Sequence, residues 1–145
     1  MTGLKRVFTF QEELKADPAF LAAIQEATLD PEEKVFGLKG SHGLLGTEEW
    51  WSNVRSGVIR SFVKEGVVVE VMNADSAEYE PSFEMDVDGG QYEYHQCFVN
   101  DRADLALYKP GARVKMIVAL DEGKSLDEHG KTRYLDLVLE VFVST

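Results

Sequence analysis

Cysteine is nearly missing from this 145-residue chain: Cys97 stands alone, so no internal disulfide can staple the fold. Four prolines and twelve glycines are too few for a low-complexity linker. No apolar run approaches the roughly 20 residues of a membrane span. The opening stretch "MTGLKRVFTFQEELK" has basic residues but no uninterrupted apolar segment, so no secretory signal is expected. A lone thiol fits a reducing compartment, and these absences together predict a cytoplasmic protein with no membrane partner. Positive charge is also scarce, with 15 Lys and Arg against 26 Asp and Glu and a net charge of −11. The deficit is uneven: residues 1–56 carry 6 bases and 9 acids, residues 57–145 carry 9 and 17. Phosphate binding draws on counterion release by Lys and Arg, so nucleic acid is the less favoured partner. A basic protein would instead be steered in.

What the chain does contain is core material, 44% hydrophobic and 10% aromatic, enough for one domain over 1–145. The segment 1–56 reads helical. Thr9 and Glu12 in "TFQE" make a capping-box pattern. Asp17-Pro18 supplies an N-cap with proline at the first helical position, and Phe20, Ile24 and Ala27 then form one stripe. Asp30-Pro31 starts a further turn that Gly37 and Gly40 cut short, and Thr47 caps a short helix carrying Glu48 and Glu49 near its positive end.

Residues 57–145 read as strands. "GVIRSFV" and "VVVEVMN" flank Glu65-Gly66 as a hairpin, and Asp88-Gly89-Gly90 marks a second turn. "DRADLALY" is a short helix capped by Asn100 or Asp101, and Lys109-Pro110-Gly111 a turn. "ARVKMIVAL" then alternates, with Val114, Met116, Val118 and Leu120 on one face. "EGKSLDEHGKT" reads as a polar loop before the strand "RYLDLVLEVFV". Val138 and Phe142 add apolar residues to that strand's second face, which points to helix packing or the edge of a homodimer.

Catalytic and metal-binding motifs are thin. "GLKGSHGLLGT", "GKS" and "GKT" all miss the phosphate-loop pattern and read as turns. His95 and Cys97 share a strand face, but zinc needs three or four ligands and His42 and His129 lie far off, so no metal is expected. "DVDGG" begins like a calcium loop, yet Cys97 stands where that loop needs glutamate. Nothing beside Cys97 would lower its thiol pKa, and Glu93 shares its face, so it reads as structural. No cofactor and no catalytic residue are expected.

The aromatic pattern is richer. Over 91–99, Tyr92, Tyr94, Gln96 and Phe98 share one face, while Glu93, His95, Cys97 and Val99 share the other. Bulk makes the first face the expected core. On a helix Trp50 and Trp51 point about 100° apart, so Trp50 is expected to be buried with Val54 and Trp51 partly exposed.

The order strand, strand, longer segment ending in a strand, short helix, strand, strand resembles an OB-like domain. That resemblance covers residues 57–143 and implies an α+β, β-rich fold, with N-terminal helices followed by an OB-like five- to six-stranded antiparallel barrel. An SH3-like barrel or a simple antiparallel sheet with helices on one face fits the same order. The pattern "GLLGTEEWW", "SFEMDVDGG" and "YKPGARVK" also resembles small uncharacterised bacterial proteins with an EWW signature. A small, acidic single-domain chain of this kind looks like an immunity-type protein that blocks a basic toxin without catalysis. Trp51, Glu84, Asp86 and Asp88 are the expected partner-binding residues. The alternative is a single-stranded nucleic-acid binder stacking bases on Tyr92, Tyr94 and Phe98, with Arg113 and Lys115 nearby.

Overall fold

The computed structural model describes residues 3–145. Six strands form one sheet: β1 (Leu4–Thr9), β2 (Arg60–Met72), β3 (Ser82–Asp86), β4 (Tyr92–Gln96), β5 (Arg113–Leu126) and β6 (Thr132–Ser144). Its order is β1-β6-β5-β2-β3-β4, and β1–β6, β2–β3 and β3–β4 are antiparallel. Helices α1 (Phe10–Ala16), α2 (Pro18–Leu29) and α3 (Glu48–Arg55) precede β2, and a 3-10 helix spans Arg102–Leu107. The fold is thus α+β and rich in antiparallel strands. β1 and β4 are its edges, and the sheet is not closed, so the strand order shows no barrel.

Two compact units divide the chain. The first takes residues up to Phe10, Val63–Ile117 and Leu139–Thr145; the second takes Gln11–Phe62 and Val118–Val138. Within the first, Phe83 is buried, with the Tyr108 ring 5.0 Å away, and Val68, Met85, Val114, Met116, Val141 and Val143 are buried too. Tyr108 completes that core as a polar strut, its hydroxyl donating to the Phe98 carbonyl at 2.7 Å. Within the second unit Ile24, Ala27, Leu38, Leu45, Trp50 and Ile59 are buried. Each fully buried side chain of this size contributes about 1.5–3 kcal/mol of transfer free energy.

Local signals hold where a cap or turn residue acts on its own neighbours. Asp17 accepts from Phe20 N–H at 3.1 Å, Thr47 from Trp50 N–H at 3.3 Å and Asp101 from Ala103 N–H at 2.9 Å. Asn100 caps nothing; it ties down β1, accepting from Thr9 N–H at 2.8 Å.

Other expectations change. Residues 4–9 form a strand, because "LKRVFT" finds a partner in β6, with Leu4 opposite Ser144. Phe20 is 44% exposed, whereas Ile24 and Ala27 are buried. Gly37 explains the difference: its φ of 95° and its missing Cβ let the following segment close on Ala27, 3.2 Å from where a Cβ would sit. Glu65-Gly66 is no turn. β2 runs straight through it, and Gly66 serves close approach instead, since a Cβ there would lie 2.8 Å from the Asp86 carbonyl. The alternation of β5 slips after Val118, burying Ala119 and Asp121 in place of Leu120, and the strand continues to Leu126. The polar loop shrinks to a turn in which Asp127 Oδ1 accepts from His129 and Lys131 N–H groups.

Candidate partner-binding surface

In the first unit, β3 and β4 join through a tip that Asp86 organises. Its Oδ1 accepts from Asp88 N–H at 3.2 Å and Gly90 N–H at 2.9 Å, while Gly89 and Gly90 take positive φ. Residues opposite one another in an antiparallel pair share a face. The register sets Asp86 opposite Tyr92 and Glu84 opposite Tyr94, with β2 adding Val67 opposite Asp86 and Glu70 opposite Glu84. One outer face therefore collects Val67, Glu70, Glu84, Asp86, Tyr92 and Tyr94, with Asp88 at its tip.

Glu70 reaches this face through a register shift. Strict alternation would put it beside Val68, which is buried; the irregularity between Val68 and Glu70 turns it outward, and Val69 is left exposed as well. Nothing in the run "VVVEV" marks that slip beyond the awkwardness of a carboxylate on a core face.

Tyr92 and Tyr94 are 55% and 68% exposed, the reverse of the core placement expected for them. β4 is a sheet edge, and its buried side is the other one, where Cys97 sits. Phe98 leaves the platform: it follows the strand's end, is half-buried and meets the Phe8 ring at 5.2 Å. The Tyr94 phenol is hydrogen-bonded to Glu84, which raises its pKa above the ordinary value. On the opposite face Glu93 pairs with Lys64 Nζ at 2.8 Å and with His95 Nε2 at 2.9 Å. The Lys64 hydrogen bond is the main reason its carboxyl is held below the usual range. Burial pushes the Cys97 thiol up to about 12, which favours the protonated thiol at neutral pH.

Arg113 and Lys115 do not join the tyrosines. They line a groove of about 380 Å³ with Leu4, Glu65, Asp86 and Asp88, where both charge signs meet. Lys115 also stands 5.8 Å over the Phe142 ring.

In the second unit Trp50 is fully buried, as expected, and Trp51 is half-buried with its ring 4.8 Å from Trp50 in an edge-on contact. Val54 is only partly covered. Sequence reasoning missed Asp121, the buried carboxylate that accepts the Trp50 indole N–H at 2.9 Å. A smaller pocket of about 170 Å³ holds Arg60, Tyr134 and the pair His42–Glu122, whose Nε2 and Oε2 are 3.3 Å apart. Among the described residues no cluster of three His, Cys, Asp or Glu is placed to hold a metal, and no helix is long and apolar enough to cross a membrane.

The structure is thus an open β-rich sheet that displays carboxylates and tyrosines on the outer face beside one edge. A family model described as Immunity protein RhsI2 matches residues 4–144, and the chain belongs to the RhsI2 immunity protein family. No curated protein matches it.

Proposed function

We propose that this chain neutralises a toxin by binding and occluding it, and that the toxin surface it covers is basic. The observation that carries the reading is the family match across residues 4–144. The partner's charge is argued from the net −11 and from the gathering of Glu70, Glu84, Asp86 and Asp88 on one face. In the first unit Tyr92 and Tyr94 supply the aromatic contact area that binding surfaces favour; Trp51, half-buried on α3 of the second unit, is a separate apolar contact residue. Occlusion needs no catalytic group and no cofactor. The compartment is a reducing one, the cytoplasm, where Cys97 stays a thiol.

The test is protection and capture in the source organism. Cells expressing the toxin should survive when this chain is co-expressed, and the tagged chain should retain that toxin at low salt and release it at high salt. A chain that protects against no toxin would overturn the reading.

A second reading, single-stranded nucleic-acid binding, is favoured only by the exposure of Tyr92 and Tyr94. Against it, the Tyr94 phenol is bonded to Glu84, and Arg113 and Lys115 share their groove with Asp86 and Asp88. Absence of tyrosine fluorescence quenching by oligothymidylate at low salt would dismiss it.

A further inference from the structure

Among the described residues, the backbone of β4 pairs on one side only. The Gln91 carbonyl accepts from Val87 N–H at 2.8 Å, and Cys97 N–H donates to the Pro81 carbonyl at 3.0 Å. Hydrogen-bonded pairs alternate with non-hydrogen-bonded pairs along an antiparallel ladder. Given His95 opposite Phe83 and Glu93 opposite Met85, the odd-numbered residues of β4 direct their backbone groups at β3. Tyr92, Tyr94 and Gln96 therefore turn theirs outward at the open edge of the sheet. Phe98 N–H donates to the Gln96 carbonyl at 3.0 Å, which leaves the three N–H groups and the carbonyls of Tyr92 and Tyr94 on that edge.

Edge strands are commonly blunted by lysine, proline or a bulge, because a bare edge is a template for another strand. The other edge of this sheet follows that rule: β1 carries Lys5 and Arg6 and has a register shift between Arg6 and Phe8. β4 is short and points Glu93 toward the covered face, but it lacks the stronger blocks: its sequence YEYHQ has neither lysine nor proline, and its register with β3 is unbroken over five residues.

We propose that β4 accepts a β-strand from the toxin, extending the sheet, and that this strand carries Lys or Arg on alternate residues. The proposal deepens the neutraliser reading and rests on it. Side chains of the added strand on the outer face would lie beside Tyr92 and Tyr94, whose rings attract a cation. They would also stand two strand spacings, about 10 Å, from Glu84 and Asp86, within the span of an extended Arg or Lys. A second copy of this chain is a poorer occupant, since pairing β4 with itself would bring two acid-flanked faces together.

Amide hydrogen exchange on the full chain, alone and bound to the toxin against which it protects cells, tests the proposal. The Tyr92, Tyr94 and Gln96 amides should exchange at least about tenfold more slowly in the complex, because strand addition gives them acceptors. Tyr94→Pro removes an outward N–H without touching the β3 ladder, a position where edge strands tolerate proline. It should weaken binding about tenfold beyond Tyr94→Ala, which loses only the ring, with an unchanged melting temperature. A complex that forms while these amides exchange as in the free chain would overturn strand addition and leave neutralisation standing. Protection that instead rises with concentration of the chain alone would give the edge to a second copy and overturn the proposal as well. Failure of the neutraliser reading appears separately, as loss of growth protection.

Discussion

Asp121 is almost wholly buried, yet it lies beside no Lys or Arg among the ion pairs of the described residues. Its carboxylate is satisfied by the Trp50 indole N–H at 2.9 Å and by Glu122 N–H at 2.8 Å. Trp50→Phe keeps most of the apolar volume but strips one donor from a buried acid. Urea unfolding should show a loss of about 2–4 kcal/mol, the cost of an unsatisfied buried group plus a small cavity. Glu93 allows a pH test. Its carboxyl is depressed chiefly by the Lys64 hydrogen bond, so its contribution is present above the ordinary carboxylate value of 4.5 and fades as pH falls through the depressed one. Glu93→Gln should therefore be less stable than the parent near pH 7, by at most ~1 kcal/mol for a pair this solvent-accessible. The gap should narrow in unfolding curves taken at successively lower pH below 4.5.

Among the elements, α2 depends on a residue far along the chain. The last carbonyls of a helix have no intrahelical donors, and a cation there also meets the negative end of the helix dipole. Lys124 of β5 supplies both, its Nζ donating to the carbonyls of Ala27, of Asp30 at 2.8 Å and of Glu33 at 3.0 Å. It thereby pins the segment after α2, where Val35 and Phe36 stand exposed. Lys124→Met keeps the stem and removes the three bonds. It should cost about 1–3 kcal/mol, and amide exchange over residues 30–36 should quicken well before that of β5.

At the scale of the whole molecule the dominant property is charge. On the proposed reading of a basic toxin surface, a chain at −11 would steer its partner over distances set by the Debye length, so association should slow as salt rises while dissociation changes less. Glu84→Gln, Asp86→Asn and Asp88→Asn together remove three charges and keep the acceptor that shapes the hairpin tip. Stopped-flow association with the toxin should slow by about tenfold at low salt and lose most of its salt dependence. Kinetics indistinguishable from the parent would remove these acids from the interface.

The sequence by itself determined what acts over a turn or less. The Asp17, Thr47 and Asp101 caps, the Lys109-Pro110-Gly111 turn and the Asp88-Gly89-Gly90 tip depend on groups a few residues apart, and they are where the residue types put them. The burial of Trp50 is also expected, but size does not decide it, since Trp51 beside it is half-buried; the distant carboxylate of Asp121 receives the Trp50 indole N–H. Only the tertiary structure decided which face of a strand looks inward. Alternation divides "YEYHQCF" into a bulkier face with Tyr92 and Tyr94 and a smaller one with Cys97; bulk points to the first as core, and the outcome turned instead on β4 being an edge whose covered side is that of Cys97. The same dependence on distant partners made "LKRVFT" a strand, let β2 run through Gly66, and turned Glu70 out beside Glu84. Pairing and close approach between residues tens of positions apart are settled by packing, and one strand's pattern does not contain its neighbour's register.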